Sequence, residues 1–315
     1  MKIIVTGSLA FDFIMDFPGR FSDHILPEKI HAINLSFLVN TMTRQNGGTA
    51  GNIAYNLALL HIKPIVIAVA GNDFDDYKKS LDKVGVDTSL ISCIQDEPTA
   101  SAYIFTDKVD NQIAGFYPGA MRASAYLKIE NLNLKKDENI VVISPNDPVA
   151  MTKITKECKK LEIDYMFDPG MQLPRLSDQE LKNGIEGAKI VIGNDYEISL
   201  INKRIKNYEL RIMDDKKIWI TTLGDKGSLI ELGKQKYKIP PAKPKEILDP
   251  TGAGDAYRAG FLTGFLTGQS LEICGRMGSI ASVYTVEKYG TQTHEFTLEQ
   301  FKKRYKENFK EELKI

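Results

Sequence analysis

The chain lacks paired cysteines, net charge and long apolar runs, and each lack removes a class of protein. Its 315 residues include three cysteines, Cys93, Cys158 and Cys274, far apart and odd in number. No CxxC pair or zinc-finger spacing is present, which sets aside a disulfide scaffold and a zinc module and points to a reduced, cytoplasmic protein. Forty-one basic and forty-one acidic residues cancel. No overall field therefore draws the chain to nucleic acid or to an anionic membrane. Basic clusters such as KECKK (156–160) sit beside acids and read as solvated helix faces. IVIAVAG (65–71) is the longest uncharged apolar stretch, too short to span a bilayer, and the N-terminal MKIIVTGSLAF is interrupted by Asp12. It reads as a first buried strand rather than a leader or anchor.

What is present is an ordinary globular composition, 43% apolar and 26% charged. Short β-rich runs recur at 3–7, 64–71, 140–144, 164–170, 188–194 and 217–224. Most are continuously apolar, as expected of parallel strands covered on both faces. Amphipathic segments at 51–62, 75–85 and 151–161 lie between them. The rhythm predicts one domain over 1–315 with a three-layer α/β/α core and a mostly parallel sheet. Two stretches, about 12–45 and 97–118, break it with strand character, the first carrying KIHAINLSFLVN and the second a hairpin turn near Asp110 and Asn111. They are expected to pair into a small β-sheet lid. Beyond 250 the chain reads as helical at 252–268, 270–286 and 297–310, its tail a surface helix with i,i+4 charge pairs.

The chemistry concentrates in DPTGAGDAYRAG (249–260). Gly252 and Gly254 allow a sharp turn with uncovered N–H groups, and the helix that follows offers unpaired first-turn amides at the positive end of its dipole. That is an anion site without a basic side chain. Asp255 falls in the first turn. It reads equally as a capping carboxylate or as a base that takes a hydroxyl proton beside a bound phosphoryl group. There is no GxxxxGK[ST], and Tyr257 stands where a GxGxxG would need glycine.

DPTGAGDAYRAGF resembles the D-T-x-G-A-G-D signature of the ribokinase-like (PfkB) carbohydrate and nucleoside kinases, with Pro250 a departure from the commonest form. GGTAGNIAYNLALL (47–60) is similar to the family's second signature, GNDFDDYKKSLDKVGVDT (71–88) to its G-x-D-x-x-G segment with Asp76 in place of a glycine, NDYE (194–197) to N-x-x-E, and TLGDKG (222–227) to its nucleotide loop. The resemblance covers nearly the whole chain and is most similar to adenosine and broad nucleoside kinases.

It implies ATP-dependent phosphoryl transfer with Asp255 as base and the amides of Gly252, Ala253 and Gly254 holding the developing charge. Asp12, expected at the end of the first strand, would hold sugar hydroxyls with Gly47, Gly48 and Asn52. Asn52 by itself offers a donor and an acceptor to a vicinal diol. Thr222, Gly224 and Gly227 would lie around ATP, though GDKG alone is a hairpin turn. Asn194 and Glu197 would serve Mg²⁺ through its water shell, and by themselves would form an N-cap pair. Asp249, Thr251, Gly290 and Thr291 resemble positions that hold a monovalent cation such as K⁺.

The acceptor is expected to be adenosine or a related nucleoside, phosphorylated on its 5′-hydroxyl. GSLAFD and GGTAGN carry no basic residue, which disfavours a sugar phosphate, while Arg44 and Arg122 lie close to the lid segments. Phe11, Phe13, Phe17, Phe37, Phe105, Phe116 and Tyr117 are candidates for a base slot or for the lid's own core. A sugar kinase of the same family and a non-catalytic binding module are the competing readings. A monomer or a homodimer through the lid is expected, with a small-molecule acceptor and ATP as partners.

Overall fold

A computed structural model describes residues 1–25, 34–109, 111–205 and 216–315. The apolar runs become the inner strands of a nine-stranded sheet: β1 (Lys2–Thr6), β4 (Pro64–Ala70), β8 (Asn139–Ile143), β9 (Asp164–Phe167), β10 (Ile190–Asn194) and β11 (Ile218–Thr222). All five residues of β8 are buried, which is why its sequence shows no alternation. Three further strands, β5 (Asp87–Cys93), β12 (Ser228–Leu232) and β13 (Gln235–Ile239), complete the order β13-β12-β11-β10-β9-β8-β1-β4-β5. Pairing is parallel from β5 to β11 and antiparallel through β12 and β13. Those three were not anticipated: β5 and β13 are partly exposed edge strands, and the short β12 beside β13 carries a glutamate in its apolar run.

Helices cover both faces. On one lie α1 (Thr49–Leu59), α2 (Asp75–Val84), α6 (Ala253–Leu266) and α7 (Leu271–Val286), which share a core with β1 and β4 through Ile53, Leu57, Leu81, Phe261 and Leu262. On the other lie α3 (Pro148–Lys160), α4 (Asp178–Glu186) and α5 (Asp195–Ile205), packed through Ile154, Leu181 and Ile201. The last helix, α8 (Leu298–Phe309), is less of a surface helix than its charge suggests, because Phe301 and Tyr305 are fully buried against α7. KECKK is also mixed: its lysines are exposed, while Cys158 is buried and Glu157 turns inward to accept the Ile129 amide at 2.7 Å. All three cysteines are free. Among the described residues no helix is long and apolar enough to cross a membrane.

The strand order reverses between β1 and β8, and a crevice opens there at the carboxyl ends of the parallel strands. Above it lies a second sheet of order β3-β2-β6-β7, from β2 (Ala10–Asp16), β3 (Thr41–Gly47), β6 (Ala100–Thr106) and β7 (Gln112–Tyr117). The two rhythm-breaking stretches do pair with each other, Asp12 lying opposite both Gln45 and Ala102. Of KIHAINLSFLVN, residues 29–33 lie outside the described residues and 34–40 form no strand. Asp110 also lies outside them. Asn111 donates its backbone N–H to Asp107, whose carboxylate also accepts from Phe21 and Val109 and so ties the hairpin to the segment after β2.

Candidate active site

The turn before α6 is set by Gly252, whose φ of 77° is left-handed and whose missing Cβ would lie 2.8 Å from Thr291 Cγ2. No side chain caps the helix, so its first-turn amides face the crevice. The Ala253 N–H makes a long 3.2 Å contact with Pro250 O. Asp255 follows as the third helical residue, and Asn52 on α1 donates to its Oδ2 at 2.8 Å. The capping reading of Asp255 loses ground here, since its recorded bond is to another helix. Burial pushes the Asp255 carboxyl up to about 6; Arg258 and the Asn52 bond hold it down, while Asp168 and Asp12 push it further up.

Helix α1 starts at the Gly47–Gly48 pair. Gly48 has φ 85°, and a Cβ there would lie 2.6 Å from Ser8 O and 2.7 Å from Ala10 N. Ser8 caps the helix from the other side, accepting Thr49 N on its hydroxyl and Ala50 N on its carbonyl. Asp12 packs onto the same glycines, its Oδ2 lying 2.3 Å from where a Gly47 Cβ would be. It stands as the third residue of β2 and not at the end of the first strand: β1 stops at Thr6, and the chain turns through Gly7 to Leu9 to begin the small sheet. Burial raises the Asp12 carboxyl to about 6, with Asp249 adding repulsion.

Tyr77 and Gln292 connect these pieces and were missed from the sequence. The Tyr77 hydroxyl donates to Gly47 O at 2.7 Å. Gln292 Nε2 donates to both Tyr77 and Asn52 Oδ1, the latter at 2.9 Å. A continuous chain of hydrogen bonds, with Gln292 donating toward both ends, thus links the Gly47 carbonyl to Asp255. Nothing in isolated Tyr77 or Gln292 signals it, because the contact joins residues 215 apart.

Beneath Asp255, Arg258 Nε donates to Asp168 Oδ2 at 2.6 Å and its Nη1 to Gly254 O at 2.8 Å. This buried pair was also missed, although Arg258 lies inside the quoted motif and Asp168 ends a parallel strand. Asn194 and Glu197 form the reciprocal N-cap pair, each accepting the other's backbone N–H at 2.8 Å. Burial and the neighbouring Asp168 raise the Glu197 carboxyl, and the Asn194 amide and Arg258 oppose them. Asp249 joins Thr251 and Gly290 by accepting their amides at 2.9 and 3.0 Å.

Next to the α6 turn lies a cavity of about 440 Å³. Thr222, Gly224, Gly227, Ala253 and Gly254 are among its lining residues, together with Pro241, Ala242, Ser279, Val283 and Val286, which the sequence did not single out. GDKG is a hairpin turn as well, since Gly224–Lys226 joins β11 to antiparallel β12.

The model of pfkB family carbohydrate kinases matches residues 3–297. A nucleoside kinase of Methanocaldococcus jannaschii is 33% identical over 299 residues, 93% of each chain. The structure of Burkholderia thailandensis nucleoside kinase in complex with inosine superposes with a TM-score of 0.88 at 33% identity, covering 98% of this chain and 99% of that one. Its ligand-free form gives 0.82 at 34% identity, over 96% and 99%. With a match from the first strand to the start of the last helix, the chain belongs to the pfkB family of carbohydrate kinases and is a phosphotransferase with an alcohol group as acceptor.

Proposed function

We propose that the chain transfers the γ-phosphoryl group of ATP to the 5′-hydroxyl of a purine nucleoside, adenosine or a close relative. The observation that carries this is the face of the small sheet that Asp12 occupies. Strand alternation sets Ile14, Ala102, Ile104, Ala114 and Phe116 beside Asp12, an apolar floor fit for a base. The other candidate aromatics are engaged elsewhere. Phe11 packs on Tyr77, Phe13 stacks on Tyr103, and Phe17, Phe37 and Phe105 form the sheet's own cluster. Arg44 lies over the Phe11 ring and pairs with Asp73, and Arg122 lies near Glu97 and Tyr117. Neither arginine is on the Asp12 face, so a second phosphate has no bidentate partner there. The likeness to nucleoside kinases, one of them holding inosine, supports the same acceptor class.

In this reading Asp12, Gly48 and Asn52 hold the ribose, and Asp255 takes the 5′-hydroxyl proton as the oxygen attacks. The amides of Gly252, Ala253 and Gly254 face the charge that develops on the phosphoryl group and the leaving oxygen. The adenine of ATP fits the 440 Å³ cavity. Glu197, crowded by Asp168, is electrostatically suited to Mg²⁺, and Asn194 fixes its carboxylate. Among the described residues no three acidic, His or Cys side chains converge on one point, which fits a metal held largely through phosphate and water. The ion would neutralise phosphate charge. A K⁺ ion near Asp249, Thr251 and Gly290 would rest mainly on carbonyls, because both Asp249 oxygens accept amides.

The test is an ADP-release assay over purine and pyrimidine nucleosides, ribose, fructose and sugar phosphates. Highest kcat/KM with a purine nucleoside is expected. A preference for a free sugar would establish the sugar-kinase alternative, and calorimetric nucleoside binding without any turnover would establish a binding module.

A further inference from the structure

Arg258 has no part in the scheme above, yet it is 9% exposed and its partner Asp168 only 1%. A buried ion pair is a poor source of stability, since desolvation offsets most of the attraction. Its position is more informative. Asp168 follows β9, held by its N–H to Ile143 O at the end of β8. Arg258 grips that carboxylate with Nε and the Gly254 carbonyl with Nη1, so one planar group joins the carboxyl end of a central strand to the glycine turn. Asp168 Oδ1 has no hydrogen-bond partner, so the contact to Arg258 is the carboxylate's principal anchor.

We propose that Arg258 is a positioning residue for phosphoryl transfer: it locks the Gly252–Gly254 turn to the end of β9 and fixes a permanent positive charge beside Asp255. The inference rests on Asp255 being the base. The charged and titratable groups around Asp255 are Asp12 from β2, Asp168 after β9, Tyr77 from α2 and Arg258 on its own helix. Among the described residues Arg258 is the sole cation of this set. Desolvation and two carboxylates favour the protonated, inactive acid, and Arg258 opposes them. Removing Arg258 therefore moves the acidic limb of kcat to higher pH, whereas neutralising Asp168 moves it to lower pH. A purely structural pair would lower stability in both variants and shift neither limb.

The experiment measures kcat against pH at saturating MgATP and the best acceptor of the panel for Arg258→Gln, Asp168→Asn, Arg258→Lys and the double variant Arg258→Gln/Asp168→Asn. Expected are an upward shift of about one pH unit for Arg258→Gln, a downward shift for Asp168→Asn, and a limb near the wild-type position for Arg258→Lys and for the double variant. At the pH optimum, Arg258→Gln should lose at least about tenfold in kcat with KM for ATP changed less than threefold, and Arg258→Lys should regain part of it. If one single variant fails to fold, the other carries the limb test; if both fail, the double variant carries the test through kcat at its pH optimum, where an undiminished turnover would overturn the proposal. A limb at the wild-type position in each folded single variant would likewise overturn it. A wild-type profile with no acidic limb, together with an active Asp255→Asn, would instead overturn the base assignment and this proposal with it.

Discussion

In the proposed scheme the donor end of the crevice is made of backbone, the amides of the Gly252–Gly254 turn, and the acceptor end of side chains, those of Asp12, Asn52 and the apolar floor around Phe116. The backbone end depends on the absence of side chains and on a left-handed turn, so change there is tolerated poorly. The acceptor end is set by which residues alternate onto one face of a sheet, so it can be retuned one side chain at a time. The shared chemistry of a family and the varied acceptors of its members follow from that division.

The comparison is broken most severely where the two ends meet, at Asp255. Asp255→Asn should lower kcat by about 10²- to 10⁴-fold with ATP binding retained, measured by turnover and calorimetry. Near-normal turnover would remove Asp255 from the chemistry. At the donor end, Gly252→Val places a Cβ against Thr291 in a left-handed turn, and should cost roughly 10²-fold in kcat for every acceptor alike. A loss confined to one acceptor would contradict a backbone role in charge stabilisation. At the acceptor end, Phe116→Ala should raise the nucleoside KM about tenfold and leave turnover of any accepted free sugar unchanged. Equal effects on both would deny Phe116 to the base.

The smallest expected effect concerns pH. With Asp255 raised to about 6, activity should hold above neutrality and fall as pH drops through about 6, where the base takes up its proton. Stability should move the other way. The folded state binds protons at Asp12 and Asp255 more tightly than the unfolded chain does, so between about 6 and 4 the protein gains stability as pH falls through these groups. Asp255→Asn should accordingly raise Tm slightly at pH 7, and a lower Tm would argue that the carboxylate holds the fold together.

The central strands were legible because burial on both faces leaves an unbroken apolar run, and the glycine turn because an uncovered amide cradle needs a fixed short spacing. The edge strands β5 and β13 were not, since an edge strand need satisfy only half that pattern, and β12 was not because Glu231 interrupts its short apolar run. Asp255 and Asn52 were readable from motifs on single helices. Tyr77, Gln292 and Asp168 act through contacts between distant segments, and no local spacing encodes those. Asp12 lies against Gly47 but was assigned to the wrong strand, because the turn after Thr6 is too short to interrupt the apolar reading.

The passage from β3 into α1 through Gly47 and Gly48 has a mechanical consequence. The acceptor sheet and the helix that carries Asn52 are one continuous piece of chain, joined at a point where backbone presses on backbone with no room for a side chain. A joint of that kind offers few substitutions by which its stiffness could be adjusted. Adaptation of this enzyme to colder or hotter surroundings would therefore have to act on the fringe of the small sheet, leaving the pivot itself as a fixed bearing.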